Sequence, residues 1–575
     1  MESKEAPPRR MQESRKVCSL RRKYRQSTEL SSKVQIYAST FHKKPESNRS
    51  SYTLRRYHHW SCKEAKYLGV IFEKNLRFRA QLNLIIKKGT NFASAIIGIS
   101  HTKWGLEFEH LRRLFNAVAA PRMDYAAIIW HRPKDNGKAL TVGQISRISA
   151  IQRQIMKAIL GCFRTTSTTA LEIETALTPP KHRLCSKILH TVTRLQATSF
   201  DHPIQQWINR ALHNGGGLSH ESNLENLINH FPEYFDLMIE RIQSYVRSPW
   251  WTLRAAINIE LNKDSAELSH NVTLAQATQQ NSLVIYTDGS GINGRIGAAT
   301  YSPTNNEISR KHLGTEAQFN VYGAELKAIN SATEQARKHA RQYRKCIIFA
   351  DSQAAIKAIA KPRRQSEQSI IKKILNEIDA IHRVNQDYEI QFQWVLGHQN
   401  IPGNERADEE AKKAALASAS DEKFPEPNLR SAKYQLIRSK LDQQWRNEWN
   451  KGTENARQLR YICRSIGVIK SEAKIYQRIS DRKHIAWIAR LRTEHCSLNK
   501  YLHHFGTIDS LYCECEGGHE TVTHYLLKCE IYEEERDALR RKVRVQEMRV
   551  KQLLGDSKLV KHTLEFMERT QRFNF

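Results

Sequence analysis

The stretch SLVIYTDGSG, Ser282 to Gly291, decides the fold. Leu283, Val284, Ile285 and Tyr286 read as a buried strand, and they run straight into Asp288. A carboxylate there is costly unless it is a turn residue beside Gly289 or faces a cation. CIIFAD, Cys346 to Asp351, repeats the pattern of apolar strand and terminal acid. Around these two stretches, strand and helix signals alternate over residues 283–417. GRIGAATYSP and EISRKHLG read as a hairpin pair, and a helix is predicted from about Tyr322 to Arg341. Two helices follow Asp351. Ile390, Phe392 and Trp394 then alternate with polar residues as a strand, and NERADEEAKKAALA is a last helix. The class is α/β, a mixed sheet flanked by helices.

Four acids are oddly placed in this pattern. Asp288 and Asp351 each terminate an apolar strand. Glu325 shares the apolar face of its helix with Ile329, Ala332 and Ala336. Asp408 shares a face with Ala411 and Ala415, whereas Glu409, Glu410, Lys412 and Lys413 are predicted to point elsewhere. Taken singly, a strand-end Asp is most often a turn or helix-cap residue. Converging together, four carboxylates repel unless hard cations sit among them. Mg²⁺, with Mn²⁺ as a substitute, suits an all-oxygen set.

Composition bears on partners. The 575-residue chain has 91 Lys+Arg against 59 Asp+Glu, a formal charge of +32. Residues 1–57 alone hold 15 basic and 5 acidic residues. Such an excess points to a polyanion, most simply nucleic acid. No apolar run approaches the ~18 residues of a membrane span, and the N-terminus lacks the apolar core of a signal peptide. The ten cysteines are mostly isolated, which fits a reducing, intracellular compartment better than a disulfide framework. RRKYR (21–25) has the composition of a nuclear-import patch, although such clusters are common in basic proteins.

In order and spacing, YTDGS, YGAELKAI, FADSQAAIKAI and WVLGHQNIPGNERADEEAKKAA resemble the type 1 ribonuclease H family over about 135 residues. The last motif is the specific one. The resemblance implies a mixed five-stranded sheet with flanking helices. It also implies cleavage of the RNA strand of RNA–DNA hybrids by two metal ions ~4 Å apart. On that reading Asp288 bridges both ions, and Asp408 helps hold the ion that activates the attacking water. Glu325 and Asp351 hold the ion that stabilises the leaving 3′ oxygen. His398, on the loop before the last helix, assists proton transfer or product release, leaving 5′-phosphate and 3′-hydroxyl ends. One departure stands out: family members carry polar, minor-groove-reading residues just before the catalytic Glu, where this chain has Val321 and Tyr322.

KYLGVIFEKNLRFRAQL (66–82), HLRRLFNAVAAPRMDYAAIIW and IQRQIMKAILGCFRTTS resemble the sequence after the catalytic palm in reverse transcriptases of non-LTR (LINE-like) retrotransposons. SKVQIYASTFHKKPE resembles the segment just before it. No Asp-Asp pair occurs in the chain, so the polymerase motif is absent. Near the C-terminus Cys513, Cys515, His524 and Cys529 form a C-x-C-x₈-H-x₄-C set suited to structural Zn²⁺, with His519 as a competing ligand. LINE-like elements carry a similar knuckle at that position. LYC, THYLL and the basic helix RDALRRKVRVQEMRVKQLL flank it and suit single-stranded nucleic acid.

The expected organisation is a basic, poorly ordered segment (1–57), a helical thumb-like remnant (58–268), a linker (269–282) and a ribonuclease H domain (283–417). A helical connector (418–505), a zinc knuckle (506–535) and basic C-terminal helices (536–575) follow. The expected function is metal-dependent hydrolysis of RNA in hybrids by a 5′-truncated retrotransposon protein. The alternative is a catalytically silent nucleic-acid-binding relic.

Overall fold

The computed structural model describes residues 51–54, 57–60, 63–102, 104–131, 140–213, 231–235, 238–244, 248–260, 262–397, 399–417, 427–452, 456–463, 473–545 and 547–573. Within it the α/β pattern forms one six-stranded mixed sheet. The strands are β1 (Ala256–Asn258), β2 (Leu283–Ile292), β3 (Arg295–Ser302), β4 (Glu307–Thr315), β5 (Lys345–Ala350) and β6 (Glu389–Trp394). Their spatial order is β1-β6-β5-β2-β3-β4. β1, β6, β5 and β2 pair in parallel, and β2, β3 and β4 form an antiparallel meander. The turn between β2 and β3 is Asn293-Gly294, both at positive φ (51° and 74°), as a two-residue hairpin requires.

Five helices cover the sheet: α1 (Lys263–Gln279), α2 (Val321–Lys338), α3 (Gln353–Ala360), α4 (Gln368–Val384) and α5 (Pro402–Leu416). Alternate side chains on a strand face opposite ways. Leu283 and Ile285 of β2, with Cys346 and Ile348 of β5, join the core built with α2 and α4. Val284, Tyr286, Ile347 and Phe349 face the other way, against Ala277 of α1 and Ala407 of α5. Burial on both faces is why these strands read as unbroken apolar runs.

Two expectations are corrected here. The sheet has six strands rather than five, because Ala256–Asn258 adds in parallel to the β6 edge. Residues 269–282 are largely helix α1 rather than a linker. Their Ser, Asn, Thr and Gln content masks a helical spacing: His270 and Ala277 are buried and Leu274 packs on the same core. Tertiary packing overrides the composition.

The chain divides into two units, residues 1–91 and 92–575. In the first, Ser51–Leu54 pairs with Tyr57–Trp60, and Glu64–Tyr67 with Val70–Glu73 around a turn at Leu68-Gly69, both at positive φ. The strand Ser51–Leu54 departs from the poor order expected of 1–57. The rest of that expectation, including RRKYR and SKVQIYASTFHKKPE, lies outside the described residues. In the second unit, segments before and after the sheet pack together. Helix α6 (Arg430–Lys451) meets Pro180–Gln196 through Cys185, Leu189, Ile437 and Leu441. Arg492 of helix α7 (Arg482–Thr493) donates to both oxygens of Glu174 at 2.8 and 3.0 Å, and both side chains are fully buried. Among the described residues no helix is long and apolar enough to cross a membrane.

Candidate active site

Parallel pairing sets Thr287 opposite Ala350. The next residue on each strand, Asp288 and Asp351, therefore stands at the carboxyl end of the parallel strands, where open α/β sheets bind their ligands. Asp288 is no turn residue. It does not end its strand either, as the sequence suggested: β2 continues to Ile292, with Asp288 paired across from Ala299 of β3. Parallel pairing to β5 ends there while the antiparallel ladder goes on. Nor does Asp351 cap α3. Ser352 does, accepting from the Ala355 amide at 3.3 Å.

Glu325 arrives from the third direction. Asn320 caps α2, its side chain accepting from the Gly323 amide at 2.7 Å. The helix then crosses β2 at Gly289. A Cβ there would stand under 3.0 Å from the Glu325 nitrogen and from Ala324, so only glycine admits the helix this close. One carboxylate oxygen from each of Asp288, Glu325 and Asp351 falls within 4.8 Å of the others. Asp288 and Glu325 are each only 6 % exposed.

The electrostatics follow from that crowding. Burial, then the charges of Asp351 and Asp408, pushes the Asp288 carboxyl up to about 8. Burial, then Asp288 and Asp351, holds Glu325 well above the usual carboxylate range. Glu325 Oε2 is buried with no hydrogen-bond partner. Three mutually close carboxylates, one with an orphaned buried oxygen, are a donor set that fits a hard divalent cation.

Asp408 is also buried and its charge reaches Asp288 and Glu325, but it stands outside the three-oxygen group. Its Oδ2 accepts from Lys412 Nζ at 2.5 Å. Lys412 therefore does not point elsewhere, as its helical position had suggested; the i,i+4 spacing was the available signal. His398 lies outside the described residues. Its neighbour Gly397 stands against Asp351, where a Cβ would come within 2.8 Å of Oδ2. Trp394 Nε1 donates to the Asp351 carbonyl at 2.9 Å, fixing the strand end. Gly289, Gly397, Trp394 and Lys412 are the site residues that sequence reasoning missed. YTDG and GH were hints only in retrospect.

Residues 280–416 match the family model described as RNase H. The chain contains an RNase H domain. Its relatives are retrotransposon proteins. The "Retrovirus-related Pol polyprotein from type-1 retrotransposable element R1 4" of Nasonia vitripennis is 28% identical over 102 residues, 18% of this chain and 24% of the relative. A "Putative 115 kDa protein in type-1 retrotransposable element R1DM" of Drosophila melanogaster is 22% identical over 111 residues, 19% of this chain and 10% of that protein. The chain thus spans a quarter or less of either relative in these alignments. Among solved structures, RNase H1 from Halobacterium salinarum is 16% identical, with a TM-score of 0.18, over 23% of this chain and 96% of that one. LC11-RNase H1, solved in complex with an RNA/DNA hybrid, is 18% identical, with a TM-score of 0.19, over 24% and 99%.

Beyond the RNase H domain, the four predicted zinc ligands come together. Cys513 Sγ and Cys529 Sγ are 3.6 Å apart, Cys515 Sγ and His524 Nε2 3.2 Å apart, and all four donor atoms lie within 4.8 Å of one another. A tetrahedral Zn²⁺ with Zn–S of about 2.3 Å sets sulfur–sulfur edges of about 3.8 Å. The local fold explains the choice of histidine. Thr521 caps the short helix Val522–Leu527 by accepting from the His524 amide at 3.0 Å, which turns His524 inward. His519 packs edge-on to Tyr512 and stays out of the cluster.

Of the flanking aromatics, Tyr512 of LYC is exposed. Tyr525 of THYLL is fully buried. RDALRRKVRVQEMRVKQLL is two helices, Glu533–Val543 and Val550–Gly555, broken where Arg544 takes a positive φ of 50°. Arg536 is fully buried, and Arg540, Lys542 and Arg549 are held in ion pairs with Glu533, Glu565 and Glu547.

Proposed function

We propose that this protein hydrolyses the RNA strand of RNA–DNA hybrids, as part of a non-LTR retrotransposon protein. One observation carries the reading: Asp288, Glu325 and Asp351 converge within 4.8 Å, from the middle of one strand, a helix and the end of another strand far apart in the chain. Mg²⁺, or Mn²⁺ in its place, would be held by these three with Asp408 beside them. When bound it supplies Lewis-acid stabilisation of charge on the attacking and leaving oxygens.

The chain's own residues do the rest. Gly289 lets α2 bring Glu325 to the sheet, and Trp394 fixes the backbone of Asp351. Lys412 balances Asp408 and is positioned to release it as positive charge enters the site. To His398, next in sequence after Gly397, we assign proton transfer at the leaving oxygen or product release. Water oxygen bonds to phosphorus as the P–O3′ bond breaks, giving 5′-phosphate and 3′-hydroxyl ends. Cys513, Cys515, His524 and Cys529 would hold Zn²⁺ as a structural ion, and the helices before the sheet would act as a thumb-like support. The intracellular, nucleic-acid-bound setting belongs to the same proposal.

The test is incubation of the full chain with labelled hybrid and Mg²⁺, beside Asp288→Asn. Cleavage by the wild type, lost by more than ~10²-fold in the variant, is expected. Hybrid retention without cleavage by both proteins would leave the silent relic as the better account.

A further inference from the structure

Beside the knuckle Arg540, Lys542 and Arg549 are held in ion pairs, whereas a row of cations without acids lies on another edge. Helix Leu140–Leu160 and the turn after it carry Arg153, Lys157, Phe163 and Arg164, and this edge meets α7 and the segment to Phe505. Arg490 donates to the Gly161 carbonyl at 2.9 Å and lies over the Phe163 ring at 4.4 Å. Phe163 stacks with Tyr501 (5.8 Å, 21°), and Tyr501 contacts Phe505 at 4.9 Å. His495 Nδ1 is 3.0 Å from Thr165 Oγ1. The loop bearing Trp104, which is 68 % exposed and stacked on His101, packs against Gly161 through Thr102.

Among the described residues no carboxylate is within ion-pair distance of Arg153, Lys157, Arg164, Arg490 or Lys500. Burial and the charges of Arg153 and Arg164 lower the Lys157 ammonium, the mark of cations crowded without an acid. The row opens into a cleft of about 480 Å³ beside the zinc cluster, lined by Lys500, Tyr501, His503, His504 and His519. Of its two carboxylates, Glu520 is held by Arg572 at 2.8 Å, which leaves Glu494.

We infer that this seam, from Trp104 and Phe163 through Tyr501 and Phe505 to the cleft, is a track for a single-stranded polynucleotide. Planar rings that stay accessible, Phe505 at 48 % and Trp104 above all, offer stacking faces that only unpaired bases can use. The interleaved cations meet the phosphates. A paired duplex keeps its bases stacked on each other and would find charge here but no use for the rings. None of these residues touches the carboxylate site, so the track does not depend on the hydrolytic reading.

The experiment measures binding of fluorescein-labelled dT₂₀ to the full chain. Arg164→Glu/Lys500→Glu should weaken it more than tenfold and lower the slope of log Kd against log salt by at least ~1.4, about 0.7 for each phosphate no longer neutralised. Phe505→Ala should weaken it roughly tenfold for dT₂₀ but not for a 20-base-pair duplex. The control reverses Arg341 and Arg344 to Glu, exposed charges at the opposite end of β5 from the carboxylates, and should change Kd less than twofold. All variants should melt with the wild type, and hybrid cleavage should persist. An equal loss in the control would mean diffuse charge only. Duplex binding as tight as dT₂₀ and indifferent to Phe505 would overturn the single-strand assignment. Full competition by polyglutamate would do the same, in favour of an acidic protein partner.

Discussion

Replacing Gly289 with alanine adds one methyl group at the closest approach of β2 and α2. The added carbon would stand 2.7 Å from the Ala324 carbonyl carbon, 2.8 Å from its Cβ, and closer still to the Glu325 nitrogen. These are backbone and Cβ atoms of a helix buried along its inner face, so no flexible side chain can swing aside. Reaching ordinary separation requires α2 to move outward by about 1 Å, and Glu325 moves with it. Overpacking of this kind costs about 1–3 kcal/mol, and a displacement near 1 Å at reacting groups costs about 10²-fold in rate. The assay is initial-rate cleavage of end-labelled RNA in a hybrid with Mg²⁺, beside a thermal melt. Gly294→Ala is the control: it strains a positive-φ turn with open space around it and should lower stability without touching the rate. A Gly289→Ala protein that melts lower yet cleaves within twofold of wild type would refute the dependence of Glu325 on this close approach.

Without added Mg²⁺, stability should fall as pH rises from about 4 towards 8. The folded Asp288 holds its proton up to about 8 whereas an unfolded aspartate gives it up near its ordinary value. Thermal melts across that range should show the slope, and Asp288→Asn should flatten it. Cys515→Ser should lower bound zinc from about one ion per chain, read by elemental analysis of dialysed protein. Arg492→Ala strands the buried Glu174 carboxylate and should cost about 3–5 kcal/mol in denaturant unfolding. A fragment beginning at residue 280, the start of the family match, should be insoluble or molten by near-UV dichroism. One beginning before Ala256 should fold better, because it keeps β1 and α1.

The carboxylate site was legible because its signals are local. An apolar run that ends in an acid needs no knowledge of distant residues, and neither does an acid in register with Ala332 and Ala336. What stayed hidden depends on partners remote in the chain. Three residues of β1 carry no period, and they are a strand only because β6 offers an edge. The polar sequence of α1 hides the buried positions His270 and Ala277; His270 becomes a core residue by meeting the Tyr286 hydroxyl at 2.9 Å. The zinc spacing was readable, but the pairing of Lys542 with Glu565 was not, because the two lie 23 residues apart and nothing local announces the pair.

The same remoteness shows why the RNase H sheet is not a detachable module here. Glu240, 1 % exposed and outside the family match, accepts from the Glu367 amide at the start of α4 and from the Arg430 amide at the start of α6, each at 2.8 Å. A buried carboxylate is costly, and burial raises its pKa. Two helix N-termini and the Ser366 hydroxyl supply the donors that offset the cost. One side chain from before the sheet therefore ties a helix of the RNase H domain to the first helix after it. Strand β1 closes one sheet edge and α1 covers the face behind Tyr286 and Phe349. The geometry at Asp288 and Asp351 thus rests on a scaffold that begins some 40 residues before the first recognisable motif, and substitutions there should act on catalysis by moving strand ends rather than by touching substrate.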